Sequence, residues 1–160
     1  MDMLLALGLS IGVLIAIWTY LSVNVLGLMV WVGIVAWGCF FAAGGKTDGL
    51  MKTIAANLSG LVWAFIASFL AARLGGGTAV LSLLVGVVAF MMVMQSKVAQ
   101  LSFIPGAFIG AAATVGSGAG TDMSALLKVA AALIAGAIFG YVSEMVAASL
   151  AAKRAAATAT

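Results

Sequence analysis

Six stretches of mostly apolar residues alternate with short polar or glycine-rich breaks along the 160-residue chain. A helix needs about 20 such residues to cross the hydrocarbon core of a bilayer. The pattern predicts six membrane-spanning helices, at residues 3–22, 25–43, 54–72, 78–95, 98–115 and 123–152. We therefore expect an all-α integral membrane protein with one transmembrane domain over residues 1–152 and a short cytoplasmic tail at 153–160.

The breaks between these spans have different compositions. Ser22–Asn24 separates the first two spans without a charge, whereas Gly44–Thr53 combines glycines, lysines and an aspartate and is predicted to be a loop. Gly75–Gly77 follows Arg73 and predicts a tight turn. No internal sequence repeat is apparent, although the spacing of the spans permits two halves of three.

Composition excludes a soluble domain. Hydrophobic residues make up 66% of the chain and charged residues 7%, with a mean hydropathy of +1.32, whereas soluble domains carry about a quarter charged residues. Asp2 stands where a cleaved signal peptide would be basic, so we expect the first span to be retained. Cys39 is the single cysteine, which rules out an internal disulfide.

Basic residues set the expected orientation, because cytoplasmic loops of membrane proteins are enriched in lysine and arginine. Cytoplasmic termini would place Arg73 and Lys128 outside. The same orientation would place five basic residues inside: Lys46, Lys52, Lys97, Lys153 and Arg154. It would also put Trp18, Tyr20 and Trp31 near the outer interface, which such side chains favour.

The residues that usually carry enzyme chemistry are nearly absent. Histidine is missing, and the chain has no nucleophile elbow, phosphate-binding loop, zinc-protease motif or pair of carboxylates on one helix face. The scattered basic residues do not form a nucleic-acid-binding patch. We expect neither an enzyme nor a metal or cofactor.

The fifth span is the strongest candidate for a functional site. Within LSFIPGAFIGAAATVGSGAG (Leu101–Gly120), Pro105 predicts a kinked or broken helix. Irregular backbone survives in a membrane only inside protein or along a water-filled cavity, and interrupted spans often mark transport sites. The candidate pore or broken-helix residues are Ser102, Phe103, Pro105, Gly106, Phe108, Gly110 and Thr114, with Asn57, Ser59 and Trp63 of the third span. A merely kinked, tightly packed helix is the structural alternative.

Two further features complete the candidate set. Glu144 is the one carboxylate inside a predicted span, and it is either an interfacial side chain or a proton or cation site. Small residues four apart let helices approach closely. Gly136 with Gly140, and Gly8 with Gly12, are therefore predicted to form helix-packing faces.

The segment SF-x-PG-x-FIGA at Ser102–Ala111, the glycine- and tryptophan-rich opening spans and SGLVWAF at Ser59–Phe65 resemble the YcdZ-like family of small bacterial inner-membrane proteins. The similarity extends over essentially the whole chain. It implies six spans and a bacterial inner-membrane location. The family is one of unknown function, so the resemblance implies no catalytic or binding residues.

Three functions fit these observations. The first is a channel or facilitator for a small neutral solute, because the spans contain a broken helix and few charges. The second is a structural or accessory protein that docks a partner through its glycine faces, and the third is a proton-coupled carrier that uses Glu144. The lipid bilayer is the one certain partner, and we also expect a homo-oligomer.

Overall fold

The computed structural model describes residues 2–158, with side chains as far as Arg154. Over these residues it contains six α-helices: α1 (Met3–Leu21), α2 (Val30–Ala42), α3 (Lys46–Arg73), α4 (Thr78–Met94), α5 (Ile104–Gly116) and α6 (Met123–Thr158). Four helical segments are long and apolar enough to cross a membrane: Met3–Leu26, Lys46–Arg73, Thr78–Lys97 and Met123–Arg154. The protein is an all-α integral membrane protein.

The two short helices each follow an irregular segment. α1 continues into a π-helical turn at Ser22–Leu26, and α4 continues into 3₁₀ turns at Gln95–Lys97 and Ala99–Leu101. α2 and α5 then have 13 residues each, or about 20 Å at the helical rise. Each is shorter than the helix needed to cross a bilayer core alone.

The predicted break at Ser22–Asn24 is wrong, because the backbone stays helical as far as Leu26. The chain turns instead at Gly27, whose φ of 59° lies in the left-handed region. Glycine adopts that conformation without steric cost, which explains the position of the turn. The sequence pattern therefore missed a second broken span.

Pro105 begins a helix and does not kink one. It lies in the first turn of α5, where the missing N–H has no helical partner to lose. The predicted span at 98–115 is consequently a 3₁₀ segment followed by an α-helix.

Two predicted boundaries are corrected by the long helices. The loop predicted at Gly44–Thr53 is confined to a tight turn, because Gly44 and Gly45 reverse the chain with φ values of 98° and 67° and α3 starts at Lys46. The polar residues that suggested a loop form its first turns, where Lys52 Nζ lies 2.7 Å from Asp48 Oδ2. The tail predicted at 153–160 is helical through Thr158, and residues 159 and 160 lie outside the described chain.

The order of the helices repeats. Thr78, Ile104 and Met123 start their helices 75, 74 and 77 residues after Met3, Val30 and Lys46. Each half is therefore a long helix, an irregular segment, a short helix and a second long helix. Since each half has three helices, the second half begins at the opposite end of the molecule from the first.

We call these ends the Lys46 end and the Arg73 end. Met3, Lys46 and Glu144 line one shallow pocket at the Lys46 end, and Thr78 starts α4 at the Arg73 end, just after α3 finishes at Arg73. α1 and α4 therefore start at opposite ends, which makes the two halves an inverted repeat.

The helices pack as two three-helix bundles that exchange their third helices. Bundle A comprises α1, α2 and α6, and bundle B comprises α3, α4 and α5; α3 and α6 also touch each other. Trp18 lies in the core of bundle A, where it is 1% exposed and donates its indole N–H to the Val30 carbonyl at 3.0 Å. Trp18 therefore packs inside the protein near the end of α1, whereas Tyr20 and Trp31 are exposed.

Candidate functional site

The middle of α3 carries two buried polar side chains on one face, Thr53 and Asn57, which are one turn apart. Both residues are fully buried. The Thr53 hydroxyl and both polar atoms of the Asn57 amide have no hydrogen-bond partner among the described residues. Leaving such groups unpaired in an apolar interior is costly, at about 1–3 kcal/mol for each group. The Ser22 hydroxyl, directly after α1, is also buried without a partner among the described residues, but Thr53 and Asn57 share one face of one helix.

α5 covers α3 at this level through its small residues. A methyl group on Gly60 would collide with the Ala107 carbonyl oxygen, and one on Gly110 would collide with the Asn57 backbone carbonyl. The two backbones are therefore in direct contact. The α3–α5 crossing is closed to any solute in this conformation.

Phe103 closes the Lys46-end side of the crossing. A methyl group on Gly106 would meet the Phe103 ring at 2.5 Å and the Ala56 Cβ at 2.9 Å. Gly106 is thus the residue that lets the Phe103 ring and Ala56 approach one another. The ring lies beside the α3 residue that precedes Asn57.

A cleft with charged, polar and apolar lining residues opens at the Lys46 end. It has a volume of about 450 Å³ and is lined by Asp48, Met51, Lys52, Ala99, Gln100 and Ser102. Its walls come from the first turns of α3 and from the irregular segment before α5. The cleft and the Thr53–Asn57 pair therefore both include residues of α3. Phe103 directly follows the cleft residue Ser102 in the chain.

A second set of polar side chains, on α3 and directly after α4, is hydrogen-bonded and joins these two helices. Gln95 accepts a hydrogen bond from the Trp63 indole at 2.8 Å and donates one to the Ser59 hydroxyl at 2.9 Å. Ser59 in turn donates to the Ala56 carbonyl at 2.7 Å. These contacts hold bundle B together.

A similar network joins the helices of bundle A. Ser10 donates to the Ser143 backbone carbonyl at 2.9 Å, and the Trp37 indole donates to the Ser143 hydroxyl at 3.1 Å. Ser143 thereby connects α1, α2 and α6. Each bundle has its own internal hydrogen bonds.

Glu144 caps the start of α3. Its Oε2 accepts a hydrogen bond of 2.7 Å from the Lys46 backbone N–H, and its carboxylate occupies the space that a Cβ on Gly45 would need. A carboxylate at a helix N-terminus is electrostatically favourable. The arrangement matches the interfacial interpretation of Glu144 better than a proton site in the interior.

The remaining candidates lie apart from the Thr53–Asn57 pair. Thr114 is buried, but its hydroxyl donates to the Gly110 carbonyl. Ser102, Pro105 and Phe108 are exposed. The structure thus places Asn57, Phe103, Gly106 and Gly110 at one crossing and the other predicted residues around it.

The glycine faces have different surroundings. A methyl group on Gly136 would collide with Gly33, and one on Gly140 would meet the Phe40 ring at 2.9 Å, so both lie at the α2–α6 crossing. Gly8 and Gly12 have open space beside them, so they make no close contact among the described residues of this chain.

Sequence reasoning missed Thr53 and Gln95. Thr53 was assigned to a loop, and Gln95 was assigned to the end of a span beside Ser96 and Lys97. A helical reading from Lys46 onward would have placed Thr53 and Asn57 four residues apart, hence on one face. No signal in the sequence pairs Gln95 with α3.

Among the described residues, no three His, Cys, Asp or Glu side chains lie close enough together to hold a metal ion. The charged groups lie toward the two ends of the molecule. The side chains of Thr53 and Asn57 are neutral hydrogen-bond donors and acceptors.

The model of a family described as "Protein of unknown function (DUF1097)" matches residues 8–148. Inner membrane protein YcdZ of Escherichia coli is 38% identical over 142 residues, which cover 88% of this chain and 83% of YcdZ. The protein of the same name from Salmonella typhimurium is 39% identical over 142 residues, which cover 88% of this chain and 85% of that protein. Uncharacterized protein YahC of Escherichia coli is 33% identical over 154 residues, which cover 90% of each chain. No solved structure matches this chain.

Proposed function

The chain belongs to the DUF1097 family of inner-membrane proteins without a known activity, and we propose that it is a facilitator for a small neutral solute. The observation that carries the proposal is the inverted repeat with an interrupted short span in each half. Transporters often combine inverted repeats with discontinuous helices, and their sites lie where the repeats meet.

The proposal includes a topology. The two short helices complete their crossings with the irregular segments before them, giving six crossings and both termini in the cytoplasm. Lys46, Lys52 and Lys97 then lie at the cytoplasmic Lys46 end, in agreement with the positive-inside rule. Arg73 lies at the outer end. This orientation makes the cleft a cytoplasmic vestibule.

The absence of buried charge around Asn57 supports a neutral solute. A coupled carrier needs an ionisable group in the transport path, and Glu144 is instead engaged with the Lys46 backbone. The closed α3–α5 crossing means that a solute passes only when the helices move apart. A facilitator that changes conformation therefore fits better than a permanently open pore.

The deciding experiment is stopped-flow permeability of the purified protein in liposomes. The panel is water, glycerol, urea, acetamide and ammonia, with protein-free liposomes as the baseline. We expect faster flux for at least one neutral solute and none for sodium or chloride. Flux equal to the baseline for every solute would overturn the proposal.

A second function has one observation in its favour. Gly8 and Gly12 leave the exposed face of α1 open to a close approach by another helix, which fits an accessory protein that docks a membrane partner or a second copy. Bulky substitutions test this: Gly12→Leu would disrupt such a complex without affecting the fold of the chain. A defined oligomer that survives Gly12→Leu would speak against docking through this face.

A further inference from the structure

We propose that Thr53 and Asn57 form the solute-binding site and that the solute is uncharged and carries a hydrogen-bond donor and acceptor on neighbouring groups, as in a small amide. This inference rests on the proposed function and names the site and ligand class within it. The argument starts from a comparison of the two halves of the molecule.

Gly60 and Gly136 mark equivalent positions on the third helix of each half. A methyl group on either would collide with a backbone carbonyl oxygen of the short helix that crosses it, that of Ala107 or of Gly33. The two glycines therefore give a register that relates α3 to α6. Residues at the same spacing before each glycine occupy equivalent places.

That register matches each polar residue of the pair with an apolar residue of similar size. Asn57 is three residues before Gly60, and Leu133 is three residues before Gly136. Thr53 and Val129 are seven residues before the same glycines. All four side chains are fully buried. Leucine and valine thus fill these places in one half, which shows that packing alone does not require polar groups there.

The two halves consequently differ at this pair of positions, and the fold does not require the polar side chains that α3 carries there. The hydroxyl and the amide together offer two kinds of donor and two kinds of acceptor, and all of them lack partners. In the cleft, the charged side chains of Asp48 and Lys52 form an ion pair with each other. A neutral ligand therefore completes the hydrogen bonds without the cost of burying a charge.

An amide complements Asn57 best. Its carbonyl accepts from the Asn57 NH₂ while its own N–H donates to the Asn57 carbonyl, and the Thr53 hydroxyl supplies a further contact. Asn57 lies 11 residues from the start of α3 and 16 from its end, which is about 17 Å from the start at the helical rise. The site is therefore nearer the Lys46 end of α3 than the Arg73 end.

Access is from the cleft, past Phe103. The ring packs beside Ala56, next to Asn57 in sequence, and the 3₁₀ segment before it has fewer helical hydrogen bonds than a continuous helix. Movement of this segment would connect the cleft with the Thr53–Asn57 pair.

The test uses Asn57→Leu and Thr53→Val, which copy the residues of the other half. Matched controls are Asn24→Leu and Thr19→Val, because both residues are exposed and bond only to backbone carbonyls of α1. The flux of urea and acetamide into liposomes is measured for all five proteins. The thermal unfolding midpoint in detergent is measured for each with and without acetamide at low millimolar concentration.

We expect Asn57→Leu to reduce amide flux about tenfold or more, as loss of a site-forming hydrogen bond does, with both controls at the wild-type rate. The variant should unfold at the wild-type temperature or above it, because replacing an unpaired buried amide by an apolar group of similar shape is neutral or stabilising. Acetamide should raise the midpoint of the wild type and not that of Asn57→Leu.

The outcomes distinguish a failure of the proposed site from a failure of the proposed function. Wild-type flux that Asn57→Leu leaves unchanged overturns the site and keeps the facilitator. Flux equal to that of protein-free liposomes overturns the facilitator. In that case the shift of the unfolding midpoint caused by acetamide decides whether the site exists. A shift that is equal in wild type and Asn57→Leu, or absent from both, overturns the site. A large loss of stability in Asn57→Leu also overturns it, because the amide would then be paired in the resting protein.

Discussion

Gly60 and Gly136 make the same contact in the two halves of the molecule, since the backbone of a short helix touches each where a side chain would begin. One lies at the α3–α5 crossing and the other at the α6–α2 crossing. Two glycines more than 70 residues apart in sequence thus hold the two bundles in the same way. This shared contact shows the inverted repeat more clearly than sequence similarity between the two halves does.

The first prediction concerns these crossings. Gly60→Ala and Gly136→Ala should each lower the free energy of unfolding by about 1–3 kcal/mol, because the new methyl group forces two backbones apart. Thermal or denaturant unfolding in detergent measures the change. Gly86→Ala is the control, because Gly86 has open space beside it in α4, and alanine there should be neutral or stabilising.

The second prediction concerns topology. On a Cys39→Ala background, Thr47→Cys and Ser149→Cys should react with a membrane-impermeant maleimide only from the cytoplasmic side, and Gly76→Cys and Thr121→Cys only from the periplasmic side. The reason is that the proposed topology of six crossings places the two pairs at opposite ends. Labelling of Thr121→Cys and Ser149→Cys from one side would show that α6 does not cross.

The third prediction concerns the hydrogen bonds between α3 and α4. Gln95→Leu should destabilise the protein by about 1 kcal/mol, as it removes the partners of Trp63 and Ser59. A double-mutant cycle with Trp63→Phe should give a coupling energy of about 0.6 kcal/mol, in the range measured for membrane helices. Strict additivity of the two changes would mean that the Trp63–Gln95 bond contributes nothing to stability.

The fourth prediction concerns Glu144. Glu144→Gln keeps an oxygen that can accept from the Lys46 N–H, so it should cost about 1 kcal/mol of stability at most and leave solute flux unchanged. Asp122→Asn is the matched control, since Asp122 Oδ1 accepts from the Ser124 N–H at 2.9 Å. Loss of flux in Glu144→Gln alone, with stability retained, would favour a proton-coupled carrier.

The fifth prediction concerns Phe103. Phe103→Ala should raise solute flux several-fold, because it removes the ring near Ala56, which precedes Asn57 in α3. Phe108→Ala, in the helix that follows Phe103, is the control, because its side chain is 42% exposed and lies outside this contact. A flux that Phe103→Ala leaves at the wild-type value would place the access route elsewhere.

Part of the candidate site could be predicted from sequence. Asn57, Phe103, Gly106 and Gly110 were selected because an amide and a broken glycine-rich helix are unusual inside a membrane, and they lie together at the α3–α5 crossing. Thr53 was missed because the glycines and charged residues at 44–52 suggested a loop that would extend through Thr53, whereas α3 already starts at Lys46. Whether these residues bind a solute remains a prediction.

The amino-acid sequence alone indicates an all-α membrane protein, because so few charged residues cannot keep a folded domain in water and each long apolar run must satisfy its backbone within a helix. Its one proline also predicts the interruption before the fifth helix. The interruption between the first two helices becomes visible only in the fold, since Gly27 turns the chain through a left-handed backbone conformation that composition does not reveal. The exchange of α3 and α6 between bundles and the unpaired Thr53–Asn57 face likewise depend on contacts between residues far apart in the chain, which hydrophobic periodicity does not encode.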